Sequence, residues 1–494
     1  MGEASELLRS TQKVYELRQL RSKPTYPASR EEAPHRMYGR MPVSEIRTET
    51  TPVPRDRASL LVLGMAAFMV QADARVIDPL LHVISREFHT TPPAAAIVIS
   101  SYALPYGLFQ LLYGPVGDRV GKLRVMTACL VVFSFGTFAC ALVPSIPIFA
   151  TLRFLTGVAA AAVVPMSLGY IGDKFPYQDR QIALARFMSA LMIGQIVGST
   201  LGGIFGQYLG WRYVFVAFGI VALAVSAMLA REGRRFPEPR TAARLGSAIF
   251  TVPLGGSLIF MGLLGVLPIA VATVLGGAGV CLLGYALATQ YGGILTRPTA
   301  PVVLGTVMLE GVFVFGGLSY LASSLTDRFG INYAYAGLMV AGFGCGGLVY
   351  SVSARRLVSG VGELGVLLLG GVLLGLGFVS IGLMPHWQWF IPAVVVLGMG
   401  YYTMHGTLQT RATELAPHVR GTAISLFAFF FFLGQATGPQ LLGRILKSHG
   451  YAAAFIVAGA GLFTTASVSR MLFARARANA NSVPGPLIPS RATE

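Results

Sequence analysis

From residue 58 onward the chain alternates apolar runs with short polar breaks. Each run is about 20 residues long, the length a helix needs to cross about 30 Å of hydrocarbon at 1.5 Å per residue. The pattern predicts spans at 58–81, 94–113, 125–143, 146–171, 187–208 and 212–230, and a second set at 302–323, 334–353, 364–384, 388–409, 421–442 and 452–473. These are spans 1 to 12. Between the sets, Leu245 to Thr296 carries no charged residue, which is too long a stretch for one crossing, and Pro268 offers a break. It predicts an extra hairpin at 246–265 and 268–288, with a re-entrant or surface-lying apolar linker as the alternative. The expected fold class is an all-α polytopic membrane protein of twelve or fourteen spans.

Sliding the chain against itself by 240 residues aligns 180–219 with 420–459 without a gap, and eleven of the forty positions are identical. Gly194, Gln195, Gly198, Gly203 and Gly210 return as Gly434, Gln435, Gly438, Gly443 and Gly450. The order of loops and spans is kept as well, which apolar bias alone does not explain. The repeat predicts two six-helix halves in the same orientation, related as parallel repeats, with the two extra spans between them. The expected organisation is a largely disordered tail at 1–57 and a first half at 58–230. A basic linker with the hairpin (about 246–288) follows at 231–300, then a second half at 301–473 and a tail at 474–494.

Composition sharpens this picture. The chain is 54% hydrophobic and 12% charged with a mean hydropathy of +0.64, where soluble domains carry about 25% charge. The net charge of +17 matters through its placement. One set of loops holds Arg119, Lys122 and Arg124, then Lys174, Arg180 and Arg186, then five arginines between Arg231 and Arg244, then Arg355 and Arg356, then Arg411 and Arg420. The opposite loops hold Arg86, Arg212, Arg328, Arg444 and Lys447. By the positive-inside rule both termini are expected in the cytoplasm of a cell-membrane protein. A membrane partner therefore replaces nucleic acid as the reading of the basic charge. The stretch "ELLRSTQKVYELRQLR" near the start either is solvated or rests on anionic headgroups. No signal peptide is expected before span 1. All four cysteines lie in apolar runs, so neither a disulfide framework nor a metal site is expected. The sequence contains no phosphate-binding GxxxxGK[ST], so ATP is not the expected energy source. No cofactor is expected, and no nucleophile–base cluster suggests an enzyme.

Three stretches carry motifs. After span 2 the chain reads "GPVGDRVGK", with Gly114, Asp118, Arg119, Gly121 and Lys122. It predicts a tight turn in which Asp118 precedes the next helix and meets its positive end. Span 4 opens "LRFLTG", placing Arg153 in apolar sequence. Span 5 contains "GQIVGSTLGG" and span 11 contains "GQATGPQLLG". These resemble motifs A, B and C of the major facilitator superfamily, and of its drug:proton antiporter branch in particular. The resemblance covers about 58–473. It implies the major facilitator fold, and a role for the motif A residues in latching the halves on the cytoplasmic side. Motif C has Gly194, Gly198, Gly202 and Gly203 in place, but Ser199 stands where the family has proline. The copy in the second half keeps Gly438 and Pro439 and has Leu442 for a glycine. Because motif C is associated with antiport, Ser199 weakens that implication in the first half.

Charges at membrane depth are costly unless paired or hydrated, so each is a functional candidate. In "QADARVIDP" of span 1, Arg75 and Asp78 share a helical face and can pair. Asp73 lies about 200° away from Arg75 around the helix and about 20 Å up the span. Arg153 enters from the other side and reaches a comparable depth, so the two can meet across a cavity. A carboxylate that alternates between an arginine and a proton is what proton coupling requires. A static network locking the outer gate is the competing reading. Glu310 in span 7, His405 in span 10, and Gln195 and Gln435 complete the candidates, each with a purely structural alternative such as a satisfied core group or a helix-to-helix hydrogen bond. The aromatic residues Phe427, Phe429 to Phe432, Tyr401 and Tyr402 are expected mostly against lipid and neighbouring helices.

These features predict a secondary transporter that moves a small solute by alternating access, exporting it in exchange for protons and functioning as a monomer. A symporter or facilitator importing a metabolite is the first alternative, and a non-transporting membrane sensor or scaffold is the second.

Overall fold

In the computed structural model, residues 57–175, 177–236, 269–416 and 420–482 are described. The tails and the first arm of the predicted hairpin lie outside them. Every regular element among the described residues is helical. Among the described residues, nine helices are long and apolar enough to cross a membrane, or ten if the bent pair of span 1 is one crossing.

Span 1 consists of Arg57–Arg75 and Ile77–Glu87, bent by 41°. The bend follows from Pro79, which has no N–H to give the Arg75 carbonyl and whose ring crowds it. Span 4 is likewise broken, into Ile146–Ala160 and Val163–Lys174, and Pro165 stands in the matching place. Span 7 divides into Ala300–Leu318 and Leu321–Phe329. Helices extend past the apolar limits at several ends: span 5 begins at Tyr177, span 6 runs Trp211–Arg235, and span 10 runs Phe390–Leu415. Polar residues at these ends keep their backbone hydrogen bonds by staying helical, so hydropathy underestimates the lengths. The second arm of the hairpin is a helix at Ile269–Leu295, longer than 268–288.

Glycines in the left-handed half of backbone space separate consecutive spans. Gly121 (φ 105°) parts spans 2 and 3, Gly210 (φ 94°) parts 5 and 6, Gly362 (φ 70°) parts 8 and 9, and Gly450 (φ 80°) parts 11 and 12. Gly210 and Gly450 are 240 residues apart. At Gly121 the "GPVGDRVGK" expectation needs correction. Span 2 stays helical through Val120, so Asp118 sits in its last turn and the turn itself is one residue. Helix propensity carries the polar stretch that composition suggested was a loop.

The same 240-residue offset appears in the packing. Gly194, Gly198 and Gly202 of span 5 lie against the backbones of Phe68, Ala72 and Val76 of span 1. Gly434 and Gly438 of span 11 lie against Met308, Val312 and Gly316 of span 7. Adding 240 to Gly194, Gly198, Phe68, Ala72 and Val76 gives their counterparts in the second interface, while Gly202 maps onto Leu442. Contacts between the first six spans and the last six obey the rule too: Gly203 meets Tyr333, and Gly443 meets Pro93. Without a side chain, these residues let helix backbones approach to direct contact.

Candidate functional site

The bend in span 1 brings its charges into two separate places. On one side, Arg153 of span 4 donates from Nη1 to Asp73 Oδ2 at 2.5 Å and from Nη2 to the Asp73 carbonyl at 3.2 Å. Gly157, one turn beyond Arg153, lies directly on the Tyr102 backbone of span 2. The guanidinium carbon of Arg153 therefore sits 4.1 Å above the Tyr102 ring, and the Tyr102 hydroxyl donates to the Val70 carbonyl of span 1. Asp73 is fully buried and Arg153 is 1% exposed. This corrects the expectation that they meet across a cavity, because three helices enclose the pair. Gly157 brings span 4 onto the span 2 backbone beside the pair. Among the described residues, the second carboxylate oxygen of Asp73 has no hydrogen-bond partner.

On the other side of the helix, Arg75 donates to Asp78 Oδ2 at a longer 3.3 Å. Its guanidinium carbon lies 4.2 Å from the Phe315 ring of span 7, reaching from the first set of spans to the second. Arg75 and Asp78 line a small pocket, together with Gln195 and Ser199 of span 5, Leu318 of span 7 and Phe343 of span 8.

Glu310 is fully buried mid-helix in span 7, so it is not a helix-end residue. Its Oε2 lies 2.9 Å from His405 Nδ1. The imidazole stacks on Tyr401 at 5.1 Å and approaches Phe431 at 4.7 Å and Phe427 at 5.3 Å. Tyr401, Phe427, Phe429 and Phe431 are buried. Gln435 is buried, and its side-chain oxygen has no hydrogen-bond partner among the described residues. Its counterpart Gln195 faces the pocket, so the two glutamines share a register but not an environment.

Ser199 replaces the bend-forming proline with a hydrogen bond, its hydroxyl donating to the Gly337 carbonyl of span 8 at 3.2 Å. In the second set, the Pro439 carbonyl accepts from Tyr320 at 2.7 Å. Of the motif A residues, Lys122 pairs with Asp173 of span 4 at 2.8 Å and Arg119 is exposed. The side chain of Asp118 and the surroundings of Gly114 lie outside the described residues. The charge pair observed there joins two helices of the same set rather than the two sets.

The polar contacts across the two sets, among the described residues, lie toward the end opposite the basic loops. His82 of span 1 stands 3.4 Å from Asp327 of span 7, and Gln207 accepts from the Tyr333 amide at 3.1 Å. Asp327 also accepts from Tyr451 of span 12 at 2.6 Å. None of these was a sequence candidate. Each is a short-range polar residue near a span end, where composition gives no reason to single it out.

The sequence matches the Major Facilitator Superfamily pattern over residues 63–439, and again over 303–492. The chain belongs to the major facilitator superfamily. Among curated relatives of this superfamily, the MFS-type transporter YwfA of Bacillus subtilis (strain 168) is 24% identical over 408 residues, which is 81% of this chain and 88% of that protein. The putative multidrug resistance protein MdtD of Salmonella heidelberg (strain SL476) is 24% identical over 414 residues, 80% of this chain and 87% of that protein. Solved structures of similar fold include the peptide transporter POT (TM-score 0.67, 15% identity, 84% of this chain and 94% of that one). They also include a bacterial homologue of the lysosomal transporter Spinster (TM-score 0.57, 17% identity, 86% and 96%). The family and these neighbours are transporters, so this superfamily member is a membrane transporter and not an enzyme.

Proposed function

We propose that this transporter exports a small solute in exchange for protons across the cell membrane, as a monomer, with Asp73 as the proton carrier and Arg153 as its modulator. The observation that carries the reading is the Asp73–Arg153 pair. A carboxylate with one oxygen on an arginine and the other free, enclosed by helices, holds its charge only while the arginine stays. A movement of span 4 against span 1 removes that partner and makes proton uptake the favourable outcome. Rocking of the two six-span halves alone leaves this pair intact, so the coupling step is a shift of span 4 against span 1 inside the first half, for which the breaks in both spans provide hinges. With both termini in the cytoplasm, the cross-set contacts at His82, Gln207 and Ser199 make this the state closed on the outside. The multidrug assignment of MdtD supports outward transport.

The test uses inverted membrane vesicles and a panel of labelled solutes, with and without an imposed pH gradient. Asp73→Asn combined with Arg153→Gln removes both charges, so neither is left buried alone. The expected result is loss of gradient-driven accumulation while solute-for-solute exchange continues. Accumulation that retains its pH dependence in this variant overturns the proposal. One observation favours a second reading, import by symport or facilitation: Ser199 occupies the motif C proline position and makes a hydrogen bond instead. Under that reading, accumulation appears in right-side-out vesicles.

A further inference from the structure

We propose that the pocket between spans 1, 5, 7 and 8 binds a small zwitterion, with Arg75 receiving its carboxylate and Asp78 its ammonium group. The proposal deepens the transport reading by naming the solute, and it rests on that reading in placing the solute between the two sets of spans.

Arg75 and Asp78 leave part of their hydrogen-bonding capacity unused. They are 5% and 1% exposed, yet their single contact is 3.3 Å long. Among the described residues, Arg75 Nε and Asp78 Oδ1 have no hydrogen-bond partner, and both residues line the pocket. With Nη1 turned to Asp78, the Nε edge of the guanidinium is left as a planar two-donor fork, the geometry that matches a carboxylate. The Phe315 ring at 4.2 Å holds the guanidinium in place from the opposite set. Gln195 adds a side-chain donor and acceptor at the wall and makes no hydrogen bond among the described residues.

The charge balance then selects the ligand. The pocket wall carries one cation and one anion, so its net charge is zero. A lone anion satisfies Arg75 but faces Asp78, and a lone cation meets the reverse problem. A molecule carrying both charges a few bonds apart satisfies both residues and adds no net charge to a buried site. The remaining charges do not alter the balance, because Arg153 neutralises Asp73 on the far face of span 1. Glu310 is engaged by His405 and is not part of this wall. Leu318 and Phe343 make the rest of the wall apolar. In this arrangement the pocket is only a small gap, so the solute is taken up as the two sets of spans separate, and a small amino acid with an apolar side chain matches the paired charges and the apolar wall.

The experiment measures thermal stabilisation of the purified protein in nanodiscs by leucine, methionine and phenylalanine. Each is compared with its methyl ester, which keeps the ammonium alone, and its N-acetyl form, which keeps the carboxylate alone. At least one free amino acid is expected to act at a concentration ten or more times lower than both derivatives. Asp78→Asn should move the preference to the N-acetyl form, and Arg75→Gln should move it to the methyl ester. A purely structural role for the pair predicts weaker folding in both variants but no exchange of preference. If no free amino acid outcompetes both of its derivatives, or if both variants keep the parent order, the proposal is overturned. No pH gradient is imposed, so failure of proton coupling leaves this result standing, and the reverse also holds.

Discussion

Replacing Arg153 by methionine separates a working ion pair from inert packing. In the native protein both partners are enclosed, Asp73 fully and Arg153 to within 1%. Methionine retains much of the side-chain volume but leaves Asp73 buried with no counter-charge. Such a carboxylate escapes by taking a proton, and keeping it protonated costs about 1.4 kcal/mol for each pH unit above its solution titration point near 3.9. The cost is therefore about 5 kcal/mol at pH 7.5 and about 1.5 kcal/mol at pH 5, close to the 3–5 kcal/mol typical of a broken buried pair at the upper end. The sign is fixed: the variant loses stability as pH rises and regains it as pH falls. Asp73→Asn leaves Arg153 unpaired instead. Because a guanidinium does not lose its proton in this range, its penalty should be nearly the same at both pH values. Asp73→Asn with Arg153→Met should lie near the parent throughout. Reversible unfolding in mixed micelles at pH 5 and 7.5 measures all four proteins. An Arg153→Met loss that is equal at the two pH values refutes the reasoning, since the carboxylate would then not be titrating.

Three further outcomes follow from the geometry. A Cβ at Gly198 or Gly438 would press into the backbone of Ala72 or Val312, whereas one at Gly305 would meet nothing within 4 Å. Gly198→Ala and Gly438→Ala should each cost about 1–3 kcal/mol from overpacking, while Gly305→Ala should be neutral or gain up to about 1 kcal/mol; the same unfolding assay compares them. Ser199→Ala removes the hydrogen bond to Gly337 and should destabilise by about 0.6 kcal/mol, the mean for such bonds between membrane helices. Ser199→Pro should cost more, because a proline carries no hydroxyl and bends the helix. At the outer-end contact, Asp327→Asn deprives His82 of its anionic partner across the two sets. Cysteine labelling at Ser199→Cys, a position 3% exposed in this arrangement, in a cysteine-free background should then become faster, and the dependence of that rate on acid pH should shrink.

The fold was legible because the membrane imposes one period on every element. Lengths near 20 residues, the basic loops and the 240-residue echo need no side-chain geometry to be recognised. The structure extends the echo beyond the aligned segment, since Phe68, Ala72 and Val76 occupy the register of Met308, Val312 and Gly316 with none of the three residue types shared. What repeats there is backbone spacing, which the small residues of spans 5 and 11 preserve while spans 1 and 7 diverge. Span ends were misjudged for a different reason. Helical hydrogen bonding continues through residues such as Asp118 and Tyr177, although hydropathy falls.

The site was only half legible, and the division follows the range over which charges act. A charge inside an apolar run is conspicuous, so Asp73, Arg75, Asp78, Arg153 and Glu310 stand out from residue type alone, and helical spacing suffices to pair Arg75 with Asp78. Sequence does not reveal which neutral surfaces finish each group. Tyr102 lies beneath Arg153 because Gly157 brings span 4 onto span 2, and Phe315 lies beneath Arg75 because span 7 crosses span 1 there. Those two rings make the difference between the pairs. Arg153 is held by a ring of its own set and spends its donors on Asp73, whereas Arg75 is held by a ring from the other set and keeps donors free. A residue bound on one side by Asp78 and on the other by Phe315 feels any separation of the two sets directly. A ligand bridging Arg75 and Asp78 therefore changes the balance between the arrangement seen here and one in which Phe315 has moved away. The pair 2.5 Å apart at Asp73 and the pair 3.3 Å apart at Arg75 thus differ in length and surroundings within one short segment of span 1. On that difference rests the proposed division of tasks, a proton at the tight, enclosed pair and a solute at the loose pair beside the pocket.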